Sequence, residues 1–440
     1  MKRFLLIFLI LSSTNLFPQS DTTLPDLIPY RKGDKWGYCD RNKNIVIPCK
    51  YDKAFMFKNN YAVVGLNDKR GIINKYDSLI VQFLYDDIYS YSDVQGIYRF
   101  SLDSKEGLID TNGHIIIPAV YNSIGLFKKG IASFEQGNKK GLMNSSGNIL
   151  VPAIYDFICL DEIGNNNMYR AEKEKKWGYI DKFNNIIIPI IYESIGYFRN
   201  GIVHAEKNNK YGILNKEGKT IIPFVYDEAE ISDNGFIKVK SNGKYGFISY
   251  KKDTLIPFNY DNAGVFNEGR AWVKVNGKYG YIDTTGKLII TAIYHYAYSF
   301  YNGKARVELN FKSGIIDLQG KLLVELLYEN TDYSYAGNLL KVRLHDKFGF
   351  VDTAGNVIIP IIYDHASTFC DSYSTVFINN KYGFIDNKGK MITPIKYEYN
   401  FIFGEGMDML CYGFESGLQR VDFNGKEGYI DIFGTEYWED

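Results

Sequence analysis

The sequence predicts an all-β protein built from tandem repeats of about 34 residues, and three observations carry that prediction. The composition is 16% aromatic, with 37 Tyr and 29 Phe, and it includes 41 Gly. This balance favours strands and turns over helices. A glycine in equivalent context recurs along the chain, and a tyrosine follows it at a fixed distance. Two apolar runs separated by a turn signal lie between that glycine and that tyrosine, which indicates a β-hairpin.

The recurring positions define about twelve units. Those called framework glycines here are Gly37, Gly71, Gly107, Gly141, Gly178, Gly212, Gly246, Gly280, Gly314, Gly349, Gly383 and Gly428. The framework tyrosines, each 14 residues after one of the first eleven, are Tyr51, Tyr85, Tyr121, Tyr155, Tyr192, Tyr226, Tyr260, Tyr294, Tyr328, Tyr363 and Tyr397. Because this offset never varies, all changes of length fall between units. A rigid hairpin followed by a tolerant connector explains the pattern.

The hairpin has its own turn chemistry. An Asp, Asn or Ser stands three residues after the framework glycine and a second Gly often follows, as in Asp283 and Gly286, which predicts a turn. A Pro stands eleven residues after the glycine in eight units, and we expect it to mark where the second hairpin strand stops pairing. Runs such as Ile186-Ile187-Ile188 are apolar throughout, which predicts a hairpin buried on both faces.

A further strand follows each connector, and one of its faces is predicted to be exposed to solvent. Ala271 and Val273 alternate with Trp272 and Lys274, the period expected of a half-exposed strand. The outward positions vary between units, and variable surfaces on repeat scaffolds commonly bind ligands. The competing interpretation is that mixed charges there only solvate and protect the strand. The candidate binding surface consists of His204, Lys238, Trp272, Lys274, Arg306 and Glu308.

The residues around the framework glycines resemble a known family. Lys35-Trp36-Gly37 and Lys176-Trp177-Gly178, with Lys-Tyr-Gly at four other units, are similar to the WG (KWG) repeat family of bacterial proteins. The resemblance covers residues 35–440, although five units lack the aromatic residue before the glycine. It implies an all-β repeat, often in exported or cell-surface proteins, and it names no ligand.

One unit cannot bury its hairpin alone, so neighbouring units must stack. Twelve units exceed the roughly four to eight blades of ordinary propellers. We therefore predict a continuous β-superhelix or solenoid, with two β-propeller-like rings as the alternative. The predicted organisation is a signal peptide at 1–20, a lead-in at 21–34, and the array at 35–440. The last unit is truncated and is expected to form a C-terminal cap.

The N-terminus indicates export. Lys2 and Arg3 precede a short apolar run at 4–11, and polar residues follow, which is typical of a secretory signal. The run is shorter than the roughly 20 residues that span a bilayer. We expect a periplasmic, cell-surface or secreted monomer with no transmembrane segment after signal removal.

Charge and cysteine content limit the possible functions. The 51 basic and 51 acidic residues cancel, which disfavours nucleic acid as a partner. Five cysteines, an odd number, have neither the C-x-x-C spacing nor the Cys/His clusters of zinc sites. We expect buried free thiols, with pairing of Cys39 and Cys49 the less favoured alternative, and no metal or other cofactor.

The chain lacks the familiar catalytic motifs, and its five His occupy unrelated positions in the repeat. The Asp-x-x-Gly segments are interpreted as turns rather than calcium loops, because they offer too few oxygen ligands. We therefore predict a non-enzymatic exported scaffold that binds protein or envelope partners. One alternative is a carbohydrate-binding module using exposed aromatic residues such as Trp272. Another is a hydrolase whose site, a cleft with two carboxylates or a buried His, is assembled across repeats.

Overall fold

The computed structural model describes residues 24–90, 96–160, 168–232, 235–249, 254–333, 339–369, 372–398 and 414–440. Over these ranges the chain forms strands and turns and no helix, which confirms the all-β tandem repeat. The predicted signal peptide, Cys370 and Cys411 lie outside the described residues.

The strands fall into four recurring positions. First strands are short: β4 (Lys53–Ala54), β8 (Asp87–Ser90), β12 (Ser123–Ile124), β16 (Phe157–Cys159), β20 (Ser194–Ile195), β24 (Glu228–Ile231), β28 (Asn262–Ala263), β32 (Tyr296–Ala297), β36 (Asn330–Tyr333) and β40 (His365–Ala366). Second strands are β1 (Ile28–Lys32), β5 (Tyr61–Leu66), β9 (Ile97–Leu102), β13 (Ile131–Gln136), β17 (Met168–Lys173), β21 (Ile202–Lys207), β25 (Phe236–Ser241), β29 (Arg270–Val275), β33 (Lys304–Leu309), β37 (Leu339–Leu344), β41 (Tyr373–Ile378) and β44 (Leu418–Phe423).

Third strands carry the framework glycines: β2 (Lys35–Cys39), β6 (Lys69–Asn74), β10 (Lys105–Asp110), β14 (Lys139–Asn144), β18 (Lys176–Asp181), β22 (Lys210–Asn215), β26 (Lys244–Ser249), β30 (Lys278–Asp283), β34 (Lys312–Asp317), β38 (Lys347–Asp352), β42 (Lys381–Asp386) and β45 (Lys426–Asp431). Fourth strands are β3 (Ile45–Tyr51), β7 (Leu79–Tyr85), β11 (Ile115–Tyr121), β15 (Ile149–Tyr155), β19 (Ile186–Tyr192), β23 (Thr220–Tyr226), β27 (Thr254–Tyr260), β31 (Leu288–Tyr294), β35 (Leu322–Tyr328), β39 (Val357–Tyr363) and β43 (Tyr397–Glu398); β46 (Trp438–Glu439) is the last strand.

Consecutive strands pair into sheets in chain order. The described residues form eleven four-stranded sheets and one two-stranded sheet, β44–β45. In ten of the four-stranded sheets a first, second, third and fourth strand follow one another and pair antiparallel, as in β16-β17-β18-β19. The alternating strand that follows each connector therefore belongs to the same sheet as the next hairpin, to which a two-residue turn joins it.

The eleventh four-stranded sheet joins the two ends of the described chain. Strand β46 pairs parallel with β1, so the sheet order is β3-β2-β1-β46. The Gly33 amide donates to the Glu439 carbonyl at 2.8 Å. The array is thus a closed ring, an eleven-bladed β-propeller with the β44–β45 hairpin between its last and first blades. The predicted open superhelix is wrong and the propeller alternative is correct, as one ring.

Side chains reinforce this junction. The Arg31 guanidinium is only 3% exposed and donates to the Glu427 carbonyl and to the Asp440 carboxylate. The rings of Trp36 and Tyr429 meet edge to face, with centroids 5.9 Å apart. Because an open superhelix has no contact between its first and last units, these contacts require closure.

The hydrophobic core lies between neighbouring blades. One cluster combines Tyr179, Ile188 and Tyr192 of one sheet with Val203 and Leu214 of the next, and similar clusters recur around the ring. No blade could bury these faces alone, which is why a single unit depends on its neighbours for stability. Tyrosine hydroxyls also cross the interface, since Tyr179 Oη donates to the Gly196 carbonyl at 2.7 Å.

The framework glycine is required by a bulge in the fourth strand. In the β18–β19 pair the register moves from Trp177–Tyr192 to Tyr179–Ile188, so the fourth strand carries two extra residues opposite Gly178. A Cβ on Gly178 would lie 2.5 Å from the Ile188 carbonyl oxygen, too close for any other residue. Pro is tolerated at bulges because the donor it lacks is not needed there.

This geometry corrects two predictions. The recurring Pro does not end strand pairing, because the fourth strand continues past Pro189 to Tyr192. Nor is that strand buried on both faces, since Ile186 is 60% and Ile191 is 43% exposed. The bulge turns part of the apolar run towards solvent, an effect that hydrophobic periodicity cannot reveal.

The turn chemistry is confirmed. Asp283 Oδ1 accepts the backbone amides of Thr285 and Lys287, and Gly286 has a positive φ of 85°. The same two-amide arrangement occurs at Asp110, Asp181, Asp317, Asp352, Asp386 and Asp431. These carboxylates stabilise turns.

A second recurring contact was not foreseen from the sequence. The Lys that opens a third strand pairs with the acid directly after the framework tyrosine of the same sheet, as in Lys69 and Asp86, at 2.7 Å. The second oxygen of Asp86 accepts the Asp103 amide, in the turn between β9 and β10 of the following blade. Corresponding pairs are Lys35–Asp52, Lys139–Asp156, Lys176–Glu193, Lys210–Asp227, Lys244–Asp261, Lys347–Asp364 and Lys381–Glu398.

These pairs predict a pH-dependent contribution to stability. The hydrogen bond from Lys69 and the amide of Asp103 lower the pKa of Asp86 below its usual 3.8. Because the pKa is lower in the folded state, the stabilisation is complete well above pH 3.8 and is lost as the pH falls through the lowered value. We expect Asp86→Asn to lower the urea midpoint slightly at pH 7 and to match wild type at pH 2.

The third repeat offers a matched comparison for this experiment. Asn122 occupies the position of Asp86 there, and its side chain meets Lys105 at 3.3 Å. Asn122→Asp should raise the midpoint at pH 7 without an effect at pH 2. Equal effects of either variant at both pH values would contradict a charge-based contribution.

Candidate functional site

The six candidate binding residues occupy equivalent places on neighbouring blades. His204, Lys238, Trp272 and Arg306 lie eight residues before their framework glycines, on β21, β25, β29 and β33, and Lys274 and Glu308 lie two residues later. All six are half-buried. They form a row of equivalent positions along four consecutive blades, on second strands that lie between the first and third strands of each sheet.

The first two members of this row are held within the protein. The His204 ring lies against Gly196, since a Cβ there would be 2.2 Å from the ring. Burial lowers the pKa of His204 below its usual value, which favours the neutral ring. Lys238 is 14% exposed and pairs with Glu230 at 2.6 Å. Both contacts are explained by packing between strands.

The third blade of the row contributes to an exposed aromatic cluster. The Trp272 ring meets Tyr279 with centroids 5.6 Å apart, and Tyr279 stacks on Tyr296 of the next blade at 6.1 Å and 23°. Tyr296 is 58% exposed and Tyr298, two residues on, is 43% exposed. We name Trp272, Tyr279, Tyr296 and Tyr298 the aromatic patch.

Charged groups border the aromatic patch. The Arg306 guanidinium lies over the Tyr298 ring, 4.7 Å from its centroid, and donates to Glu308 at 2.5 Å. Arg306 also reaches Asp332 of the following blade at 3.6 Å, and Lys341 pairs with the other oxygen of Asp332 at 3.2 Å. Donors and acceptors therefore alternate beside the exposed rings. Lys274 lies over Tyr279, 5.2 Å from the centroid.

The blade containing β32 differs from its siblings at the two tyrosines. Among the described first strands and the residue after each, only this blade carries aromatic residues at both equivalent positions. Neighbouring blades have Asn262 and Gly264, or Asn330 and Asp332. The fold accepts small polar residues at these positions, so it does not require the tyrosines.

The sequence predicted part of this arrangement. Trp272, Lys274, Arg306 and Glu308 are brought together around the aromatic patch, whereas His204 and Lys238 are on earlier blades. Tyr296, Tyr298 and Asp332 were missed, because they fall in segments treated as connectors. The available signal was Tyr-Ala-Tyr at 296–298, where other units have residues such as Asn-Ala-Gly at 262–264.

Several other features bear on function. No group of three or more His, Cys, Asp or Glu with metal-binding geometry occurs in the described part of the chain. Cys39, Cys49 and Cys159 are free thiols, so Cys39 and Cys49 do not form the disulfide considered as an alternative. In the described ranges, no helix has the length and apolar character needed to span a membrane.

Comparison with known families gives one repeated match. The family described as WG containing repeat matches residues 36–69, 71–105, 107–139, 141–177, 177–211, 211–245, 245–279, 279–312, 348–382 and 382–426. These segments cover most of the chain from the first framework glycine onwards. A comparison with curated proteins gives no match.

Solved structures give remote likenesses. A eukaryotic initiation factor structure is 10% identical, with a TM-score of 0.38, and the match covers 82% of this chain and 93% of that one. BamB from Moraxella catarrhalis is 12% identical, with a TM-score of 0.32 and coverage of 69% and 91%. The extracellular domain of a putative hybrid two-component system from B. thetaiotaomicron is 9% identical, with a TM-score of 0.25 and coverage of 93% and 69%.

Proposed function

The chain belongs to the WG containing repeat family, and we propose from that premise that it is an exported, non-enzymatic scaffold that binds a cell-envelope component. The observation that carries this proposal is the contrast between a uniform framework and one divergent blade. The framework glycines, bulges and Lys–acid pairs recur around the ring and serve folding. The exposed pair Tyr296 and Tyr298 serves none of these contacts.

Repeat rings present binding groups on a rigid surface. Each blade is held on both sides by a hydrophobic interface, so a side chain at its edge has a defined position relative to the next blade. Tyrosine combines a large apolar face with a polar hydroxyl and loses little conformational entropy on binding. An exposed tyrosine pair beside Arg306 and Glu308 is therefore a suitable binding surface.

Two further observations support the other parts of the proposal. The charged and apolar residues at 2–11 support export. The catalytic alternative requires a cleft with two carboxylates or a buried His, and the His of the row, His204, is packed against Gly196. The carboxylates beside the aromatic patch, Glu308 and Asp332, are instead paired with cations. A binding role fits these paired charges better than a hydrolytic one.

Site-directed crosslinking in intact cells tests the proposal. We expect a photoreactive phenylalanine at Tyr296 to give a discrete crosslinked product with an envelope component. The matched control carries the same group at Tyr76, which is 76% exposed in a turn of another blade, and should give no product. Retention in the cytoplasm, or equal crosslinking at Tyr296 and Tyr76, would contradict the proposal.

A further inference from the structure

The aromatic patch presents a supported ring to solvent. Tyr279 stacks on Tyr296, and Trp272 packs on Tyr279 in turn. This backing limits the motion of the exposed Tyr296 ring, so a ligand that stacks on it would not have to order it first. Aromatic faces of this kind pack against flat apolar surfaces of ligands. A pyranose ring offers such a surface on the side that carries its axial C–H groups.

The charged groups beside the patch match hydroxyl groups. A hydroxyl both donates and accepts hydrogen bonds. Arg306 supplies donors, Glu308 and Asp332 supply acceptors, and the Tyr298 hydroxyl lies 3.2 Å from Glu308. A sugar with hydroxyls on neighbouring carbons can use both kinds of partner at once. The mixture of donors and acceptors beside exposed rings is the second observation that points to this class of ligand.

A proline-rich peptide, the other common ligand of aromatic surfaces, fits less well. Such a peptide presents carbonyl acceptors and few donors, and aromatic grooves usually recognise it. Here the Trp272 indole nitrogen lies against Gly264, 2.2 Å from the position of a Cβ there, so it faces the protein. Glu308 and Asp332 would gain no donor from a polyproline segment, and their desolvation would oppose binding.

The charges around Tyr298 balance one another, which favours a neutral ligand there, while Lys274 beside Tyr279 adds one further cation to the patch. Arg306 and Lys341 provide two cations, and Glu308 and Asp332 provide two carboxylates, joined by contacts of 2.5–3.6 Å. A uronic acid would compete with these carboxylates for Arg306. We infer that the aromatic patch, with Arg306, Glu308 and Asp332, is a binding site for a neutral oligosaccharide. This inference rests on the proposed binding function and names its ligand class.

The test uses the full exported chain and defined probes. Wild-type protein would be titrated calorimetrically with cellohexaose, xylohexaose and laminarihexaose, and with a uronic acid hexamer and a proline decamer for comparison. We expect one of the neutral hexasaccharides to bind. Tyr296→Asn, which introduces the residue found at Asn262 and Asn330, should weaken that binding about tenfold, the factor that corresponds to loss of about 1.4 kcal/mol of stacking.

Two variants separate stacking from folding. Tyr296→Phe keeps the ring and should restore most of the affinity that Tyr296→Asn loses. Phe311→Asn removes another exposed aromatic residue of the same blade, 97% exposed in a turn, and should bind like wild type. Tyr298→Gly introduces the residue found at Gly264 and should also weaken saccharide binding. It provides an independent test if Tyr296→Asn lowers the thermal unfolding midpoint.

The inference is overturned if no neutral hexasaccharide binds, if binding is equal in wild type, Tyr296→Asn and Tyr298→Gly, or if the proline decamer is the ligand lost in those variants. Its failure is distinct from failure of the scaffold proposal. Crosslinking at Tyr296 to an envelope protein, with no saccharide binding, would support the scaffold proposal and refute the inference of a saccharide ligand.

Discussion

Deletion of residues 437–440 is expected to open the ring and to lower the free energy of unfolding by at least about 3 kcal/mol. Tyr437 is 1% exposed and its hydroxyl lies 2.9 Å from Asp431, and removal of a fully buried aromatic side chain typically costs about 3–5 kcal/mol. The deletion also removes β46 and with it the partner strand of β1.

The buried cation adds to this effect. Arg31 loses the Asp440 carboxylate while it stays enclosed by the Glu427 and Gly33 carbonyls. A buried charge deprived of its partner destabilises the folded state strongly. Hydrogen exchange is the most direct measurement, because the amides of Arg31 and Gly33 donate to carbonyls of the deleted segment and should exchange far faster in the deletion variant.

The matched control is Glu439→Gln. It removes the exposed pair of Lys32 and Glu439, in which both side chains are more than half exposed, but keeps the strand. Exposed pairs contribute little to stability, so the urea midpoint and the exchange rates should stay close to wild type. Unchanged exchange at Arg31 and Gly33 after the deletion would refute closure and favour the open superhelix.

The sequence could predict the strands and turns because their chemistry is local. The Asp283 carboxylate and the Gly286 conformation determine a turn within a few residues, whatever the rest of the chain does. The alternation of apolar and polar residues along β29 is likewise local, because successive side chains of a strand point to opposite faces of its sheet. These features need no knowledge of how blades are oriented in space.

Ring closure could not be predicted, because it depends on a small angle between neighbours. The eleven blades and the β44–β45 hairpin close when each of these twelve is rotated by about 30° with no net rise, and a slight rise gives a superhelix instead. Side-chain patterns do not determine angles to a few degrees. The decisive information lies at the ends of the described chain, where β46 pairs with β1.

The candidate site was only partly predictable for a related reason. Trp272, Arg306 and Glu308 were identified as variable positions on one strand type. Tyr296 and Tyr298 belong to a two-residue strand and the residue beside it, and so short a segment has no periodicity to detect. Only comparison with equivalent residues of other blades singles them out, and that comparison needs the sheet register.

Replacement of Gly178 by Val is the second change with a large expected effect. It should lower the free energy of unfolding by about 3 kcal/mol or more. A Cβ there would lie 2.5 Å from the Ile188 carbonyl oxygen and 2.7 Å from that of Pro189. Both are backbone atoms of the bulge, so no side-chain rotation can make room. Overpacking of this kind costs about 1–3 kcal/mol per site and more where the backbone is fixed.

The bulge carries Ile188 and Tyr192 into the interface with the next blade, so displacing it disturbs two blades. Urea unfolding followed by tyrosine and tryptophan fluorescence measures the loss. Gly137→Asn is the matched control, because Gly137 has a φ of 64° in open space and Asn208 and Asn379 occupy the equivalent turns at 54° and 53°. The Gly137→Asn variant should shift the urea midpoint only slightly. A similar small shift for Gly178→Val would mean that the framework glycines are not required by the bulge, and the physical explanation for their recurrence would fail.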